Sequence, residues 1–517
     1  MTEQGNGGCG PDSPSRGVLA RMRLDPEMIF DSSSRHTDLT ERSVLGGLST
    51  MGGQLLRTAI QMGSVVVLAR LLTPGDYGLV GMVTVVIGFA KMFKDAGLST
   101  ATVQKHHVSR EQISTLFWVN LGVSVALGAT VLCVSPLVAL FYARPELTAM
   151  TAVLSASFLI DGVSIQHEAL LRRHMRFLPV AVSQVVAQTA NACVAVVAAL
   201  LGARYWALVL GTLASSFVLS AMTIFFCPWI PGKMRRGVGT RSMLRFGGDV
   251  TLFSFINYFG ENSDYMLLGK FAGADALGLY TRAYQLFFLP VTQMRIPMSA
   301  VAMPALSALR TDPQRYARFY RRFLEVLGLL TVPIAVYCLL EADFIIRVLL
   351  GAQWMGVVPI FQLLAIAGVV QAVASTRGLV LTSCGLSKQY VQLGFANTIV
   401  RILGVLVGLP FGIVGVAAGT SAAVLVFLAP SLHFFTKGTP VAPNDFYRAL
   451  AKPLLYAAVA GLLGLAARHL LSGDGALKHV VVTAIFVAAY VGLIGADSSA
   501  RADLRQFVGI MRVRSRQ

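Results

Sequence analysis

The stretch FINYFGENSDYMLLGKFAG (Phe255–Gly273) carries acidic and amide side chains inside a run that otherwise has the composition of a membrane helix. Asn257, Glu261 and Asp264 all fall within it. A charge at the centre of a bilayer costs at least about 2.5–3.5 kcal/mol on insertion scales. We therefore expect these side chains to face a cavity or a charged partner inside a bundle of membrane helices.

The composition of the whole chain supports a membrane location. The 517 residues are 55% hydrophobic and only 13% charged, with a mean hydropathy of +0.67, whereas soluble domains carry about 25% charged residues. The net charge of +18 would suit a nucleic acid partner if it lay on a soluble face. Here the basic residues form short runs between apolar segments, so we expect no nucleic acid binding.

Fourteen segments are long and apolar enough to cross a bilayer, which takes about 20 residues. These predicted spans are 46–71, 77–96, 113–141, 147–170, 178–202, 204–228, 245–269, 278–307, 321–342, 356–383, 389–409, 411–435, 450–470 and 478–496.

The distribution of Lys and Arg gives an independent check on these spans. With the N-terminus in the cytoplasm, 31 of the 43 Lys and Arg residues fall in cytoplasmic segments, 7 in outer loops and 5 inside spans. A missing span would invert every later loop, so this bias supports the count and predicts cytoplasmic termini. The polar tail shows no apolar core of a signal peptide. We expect it to be disordered, with partner binding as the alternative.

An internal repeat at an offset of 200 residues links the first and seventh spans. Residues 66–80, VVLARLLTPGDYGLV, align with residues 266–280, MLLGKFAGADALGLY, so that Gly78 corresponds to Gly278. Each segment opens a set of six spans, and transporters are often built from repeats. The resulting prediction is a disordered tail (1–44), an N-lobe (45–228), a basic linker (229–244), a C-lobe (245–436), a terminal helix pair (437–497) and a basic C-tail (498–517).

Three motifs resemble a known family. They are LARLLTPGDYGLV (68–80), EALLRRHMRF (168–177) and LGLYTRAYQLFFLPVTQMRIPMSAVAMPALSAL (277–309). They are similar to Wzx-type polysaccharide flippases of the multidrug/oligosaccharidyl-lipid/polysaccharide (MOP) exporter superfamily, closest to the colanic-acid-exporter type. The resemblance covers about residues 45–435.

This resemblance implies an all-α polytopic membrane protein whose two pseudo-symmetric six-helix lobes surround a central cavity. It also implies a bacterial inner-membrane protein that moves an undecaprenyl-pyrophosphate-linked oligosaccharide to the outer leaflet by alternating access. The product would serve exopolysaccharide or O-antigen assembly. The expected partners are the lipid-linked oligosaccharide, inner-membrane lipids and, further along, a polysaccharide polymerase and export machinery. No cofactor is implied.

Polar residues repeat at the same offset of 200 within the first and seventh spans. The four in the first span share one helical face, as do their four counterparts in the seventh: Gln54, Arg57, Gln61 and Ser64, against Ser254, Asn257, Glu261 and Asp264. We predict that this stripe lines the cavity. The alternative is polar packing between helices.

Five arginines inside spans are candidate ligands for the pyrophosphate: Arg57, Arg282, Arg295, Arg377 and Arg401. A guanidinium stays protonated and bonds phosphate oxygens through two parallel donors. For Arg282 and Arg401 the alternative is a side chain that extends to the membrane interface.

The intramembrane acids need another role because they repel phosphate. Glu261 and Asp264 are predicted either to carry protons or Na⁺ or to form a latch with Arg282 or Arg57. Asp161 is a further candidate, and its alternative is an ordinary interfacial helix end.

Catalysis and metal binding find little support in the sequence. The stretch HEALL (167–171) lacks the second histidine of a zinc protease motif, and no P-loop occurs. We therefore expect no enzyme activity and no metal site. The alternatives to a polysaccharide flippase are a multidrug exporter, which would favour acids over arginines, a peptidoglycan-precursor flippase, and a membrane glycosyltransferase.

Overall fold

The structure of the chain is a computed structural model that describes residues 39–94, 109–234, 258, 260–471, 475–502 and 505, with the backbone alone at 39–48 and 300. Most of the predicted tail 1–44, Asn257, and most of the predicted linker and C-tail lie outside the described residues.

Every regular element in the described ranges is helical. In chain order the helices are α1 Leu39–Leu71, α2 Pro74–Lys94, α3 Arg110–Tyr142, α4 Glu146–Arg173, α5 Phe177–Leu200, α6 Trp206–Phe226, α7 (its described part 260–271), α8 Gly273–Ala308, α9 Pro313–Leu340, α10 Ala342–Leu349, α11 Val357–Ala374, α12 Arg377–Ser383, α13 Ser387–Gly408, α14 Gly412–Thr436, α15 Pro443–Leu470 and α16 Ala476–Ala496.

These helices confirm the prediction of an all-α polytopic membrane protein. Among the described residues, 11 helical stretches are long and apolar enough to cross a membrane, and one of them, residues 387–436, comprises both α13 and α14. The first helix begins at Leu39, inside the segment predicted to be a disordered tail.

The predicted span 356–383 matches one candidate membrane span, residues 357–383, which the structure divides into two helices. The chain leaves α11 after Ala374 and enters α12 at Arg377. Thr376, in the break, donates to the Val373 carbonyl at 2.7 Å and shares a hydrogen bond with Tyr320 at 2.9 Å. These bonds satisfy polar groups at the break, and hydropathy conceals the break because the segments on both sides of it are apolar.

Helix packing divides the described helices into two sets that meet at a central crossing. In the first set, α1 packs on α5, α3 on α4, and α6 on both α4 and α5. In the second set, α11 packs on α8, α9 and α14, and α13 packs on α14. Helix α15 packs on α9 and on α16. The central contact is the crossing of α2 with α8.

Two glycines set the distance at this crossing. A Cβ atom built on Gly78 would lie 1.7 Å from the carbonyl oxygen of Ala274, and one built on Gly278 would lie 1.9 Å from that of Pro74. Residue 78 thus contacts residue 274, and residue 278 contacts residue 74. A two-fold axis produces this reciprocal pattern when a surface patch packs against its own copy. The offset is that of the sequence repeat.

The two helix sets are also tied together where α1 ends and α2 begins, which we term the α1–α2 end. Arg70 of α1 donates to the carbonyl of Val348 in α10 at 2.9 Å. Lys270 of α7 donates to the carbonyl of Phe141 in α3. Arg70 and Lys270 are equivalent positions of the repeat, and each bonds the opposite set.

Candidate functional site

A cavity of about 520 Å³, the arginine cavity, lies among α7, α8, α11, α12, α13 and α14. Its volume falls within the range of small-molecule sites. Four charged side chains line it, and three amides add donors and acceptors: Glu261, Arg295, Arg377 and Arg401 with Asn262, Gln371 and Asn397. Charged side chains here match the expectation that intramembrane ions face a cavity.

The cavity wall contains a buried ion pair between α7 and α13. Asp264 is fully buried, and its Oδ2 accepts from Arg401 Nη2 at 2.8 Å and from the Tyr280 hydroxyl at 2.9 Å. The Arg401 guanidinium also lies 5.9 Å from the ring centroid of Tyr284. Asp264 therefore fixes Arg401 and offsets its charge.

Two further arginines carry charge into the cavity without a carboxylate partner among the described residues. Arg377 begins α12, and it donates to the Ala374 carbonyl at 2.7 Å and to the Ser431 hydroxyl. Arg295 of α8 is half-buried, and no other described residue bonds it. Arg377 is thus held in place, while Arg295 keeps all its donors for a ligand.

A second cavity of about 490 Å³, the glutamine cavity, lies between α1 and α2 on one side and α7 and α8 on the other. Its polar lining comprises three glutamines, one arginine and hydroxyl side chains: Gln61, Gln285, Gln293, Arg282, Tyr77, Thr84 and Thr281. Tyr265, Tyr284, Phe288 and Thr292 line both cavities. The two cavities are therefore adjacent and share a largely aromatic wall.

Arg282 is held by an aromatic ring instead of a carboxylate. Its guanidinium carbon lies 3.9 Å from the ring centroid of Tyr77, close enough for a cation–π interaction. This contact joins α8 to α2. The alternative for Arg282, a side chain that extends to the membrane interface, does not fit the structure, because this side chain lines the glutamine cavity.

The polar stripe predicted along α1 is divided by the fold. Gln61 lines the glutamine cavity, and Gln54 bonds Gln293 of α8 at 3.4 Å. Arg57 is half-buried and lines neither cavity.

The predicted acids also separate. Glu261 is exposed within the arginine cavity. Asp264 pairs with Arg401, so its predicted pairing with Arg57 or Arg282 is wrong. Asp161 lies elsewhere, 2.9 Å from Lys94 and 4.0 Å from Lys91 of α2.

Sequence reasoning missed the aromatic components of the site. Tyr280, Tyr284 and Phe288 recur at intervals of four along α8, the spacing that places side chains on one helical face. This spacing, on the same helix as Arg282, could have identified these aromatic residues from the sequence. Tyr77 carried no such signal, because its role depends on the crossing of α2 with α8.

Comparison with known proteins gives consistent results. A family model described as "Polysaccharide biosynthesis protein" matches residues 67–359. The lipopolysaccharide biosynthesis protein WzxC of Escherichia coli K12 is 24% identical over 79% of this chain and 83% of its own length. The teichuronic acid biosynthesis protein TuaB of Bacillus subtilis 168 is 27% identical over 67% of this chain and 72% of its own length.

Solved structures share the fold. The lipid II flippase MurJ in an inward closed conformation has a TM-score of 0.68 and 16% identity, with 87% of this chain and 98% of that chain covered. A MATE-family multidrug transporter of the MOP superfamily, facing inward, has a TM-score of 0.58 and 15% identity, with 76% and 96% covered. These two structures show the fold that the chain shares, and the family model over residues 67–359 confirms the resemblance that the sequence motifs indicate.

Proposed function

The chain belongs to the polysaccharide biosynthesis protein family, and we propose that it is a flippase that moves a lipid-linked oligosaccharide across the membrane. The observation that carries this proposal is the arginine cavity inside an otherwise apolar helical protein. The name of one relative, the succinoglycan biosynthesis transport protein ExoT of Rhizobium meliloti, 24% identical over 63% of this chain, supports a transport role.

The substrate class we propose is an oligosaccharide on undecaprenyl pyrophosphate. Its two phosphates must leave bulk water, and arginines that retain free donors can replace that hydration with charge-assisted hydrogen bonds. Arg295 and Arg377 are the proposed ligands. Arg401 contributes a donor fixed by Asp264. The excess of arginine over carboxylate favours an anionic headgroup over the substrates of a multidrug exporter.

Translocation is proposed to proceed by alternating access. The approximate two-fold at Gly78 and Gly278 provides an axis about which the two helix sets can rock. The positive-inside rule assigns the α1–α2 end to the outer side of a bacterial inner membrane and the termini to the cytoplasm. The bonds from Arg70 and Lys270 would then close the outer side and break when it opens.

The two carboxylates near the cavity suit different roles. Asp264 is engaged by Arg401 and Tyr280, which fits a latch. Glu261 is exposed in the arginine cavity, where a proton or Na⁺ could reach it. A polysaccharide polymerase and export machinery would act on the translocated product.

Depletion of the protein in its host tests this function. The expected result is accumulation of a lipid-linked oligosaccharide on the cytoplasmic leaflet, identified by mass spectrometry of the lipid fraction. Depletion that leaves both the lipid-linked pool and surface polysaccharide unchanged would contradict the proposal.

A further inference from the structure

We propose that the glutamine cavity is the subsite for the sugar ring or rings next to the diphosphate. This inference rests on the proposed function, since it requires a diphosphate in the neighbouring arginine cavity. It assigns the two halves of one ligand to two adjacent cavities. The anionic half lies among arginines, and the neutral hydroxylated half among glutamines and tyrosines.

Two buried polar atoms at the glutamine cavity lack a partner within the described residues. They are the hydroxyl oxygen of Tyr77 and Nε of Arg282. Tyr77 is only 3% exposed. Because an unpaired buried donor is destabilising, native proteins rarely keep one without a reason. Their adjacency, with the Arg282 guanidinium on the Tyr77 ring, points to one ligand that supplies acceptors to both.

The remaining lining has the chemistry that a sugar ring needs. A pyranose has apolar C–H faces and an edge of hydroxyls that both donate and accept. The rings of Tyr265, Tyr284 and Phe288 offer apolar faces. Gln61 and Gln285 offer amides, each with donors and an acceptor. With one cation and no carboxylate in its lining, the cavity suits the hydroxyl oxygens of a sugar.

The shared wall sets the order of the ligand. Tyr284, Phe288 and Thr292 line both cavities, so the two subsites are neighbours across one layer of side chains. The first sugar is covalently bonded to the diphosphate and must lie next to it. The ring nearest the diphosphate is therefore the one that this cavity would bind.

The test compares two probes that differ only by a sugar, a short prenyl diphosphate and the same prenyl diphosphate bearing one hexose. Binding to the purified full-length protein in nanodiscs is measured by calorimetry. We expect the hexose to lower Kd about tenfold or more. Tyr77→Phe and Gln285→Ala should each reduce that gain about five- to tenfold, the effect of one or two lost hydrogen bonds. Neither variant should change the Kd for the sugar-free probe.

Matched controls separate this effect from damage to the fold. Tyr447→Phe and Gln314→Ala alter exposed residues outside both cavities and should keep the full gain. Tyr77→Phe removes a hydroxyl that has no partner in the described residues, so its Tm should stay unchanged or rise.

Different results would overturn different claims. If the sugar-free probe binds and Arg295→Ala weakens that binding, but the hexose adds nothing or Tyr77→Phe keeps its full gain, the sugar subsite is wrong and the flippase proposal stands. If neither probe binds, both proposals are wrong.

Discussion

Gly78 of α2 and Gly278 of α8 face each other's helix at equivalent positions of the 200-residue repeat. A Cβ atom on either would lie within 2 Å of a carbonyl oxygen, that of Ala274 for Gly78 and that of Pro74 for Gly278. Only glycine permits backbones to approach this closely. The pair therefore sets how closely α2 and α8 approach where the two helix sets cross.

Substitution of either glycine by alanine should destabilise the protein. The added methyl group must push α2 and α8 apart, and overpacking of this kind costs about 1–3 kcal/mol or more. We expect Gly78→Ala and Gly278→Ala to lower Tm by similar amounts in thermal unfolding of the purified protein. Gly63→Ala is the matched control. A Cβ there meets nothing within 4 Å, and alanine favours a helix by about 1 kcal/mol. Equal Tm values for Gly78→Ala and Gly63→Ala would contradict the close crossing.

The Asp264–Arg401 pair should behave as a buried ion pair. Removing one charge leaves the other uncompensated, so Asp264→Asn alone is expected to destabilise by about 3–5 kcal/mol. The double variant Asp264→Asn with Arg401→Met removes both charges and should recover most of that loss, as measured by denaturant unfolding in detergent. If the double variant is less stable than Asp264→Asn by the full cost of a second independent substitution, the two residues are not coupled.

Glu261 should weaken anion binding in the wild-type protein. Its carboxylate is exposed in the cavity that holds Arg295 and Arg377. Glu261→Gln removes a like charge and should lower the Kd for inorganic pyrophosphate about fivefold, from a repulsion on the order of 1 kcal/mol. Glu111→Gln, outside both cavities, is the control. An unchanged or higher Kd in Glu261→Gln would show that the carboxylate does not repel the anion.

The helical fold could be predicted from sequence because a bilayer requires long apolar segments. The Lys and Arg residues between these segments indicate on which side of the membrane each loop lies. The break between Ala374 and Arg377 could not, since hydropathy averages over many residues and the side-chain bonds of Thr376 are tertiary. The internal repeat was visible in the sequence as similar segments 200 residues apart. The mutual insertion of Gly78 and Gly278 appears only when α2 and α8 pack together.

The arginines of the candidate site could be predicted from the sequence, but the residues that contact them could not. An arginine inside a membrane span is noticeable by itself, and Arg295, Arg377 and Arg401 do line one cavity. That Asp264 pairs with Arg401, 137 positions along the chain, depends on how α7 packs near α13. Arg57 lies on the predicted helical face but lines neither cavity. The spacing of polar residues specifies which face of a helix they share, but not what packs against that face.

Translocation of a fluorescent lipid-diphosphate oligosaccharide in proteoliposomes tests whether the arginine cavity carries the diphosphate. Arg315→Ala is the control, because its side chain is 71% exposed on α9 and lines neither cavity. We expect this control to move the lipid at the wild-type rate. Arg295→Ala and Arg377→Ala should each fall at least about tenfold, as loss of a charge-assisted hydrogen bond implies. Wild-type rates in both cavity variants, with normal insertion, would contradict that role of the cavity.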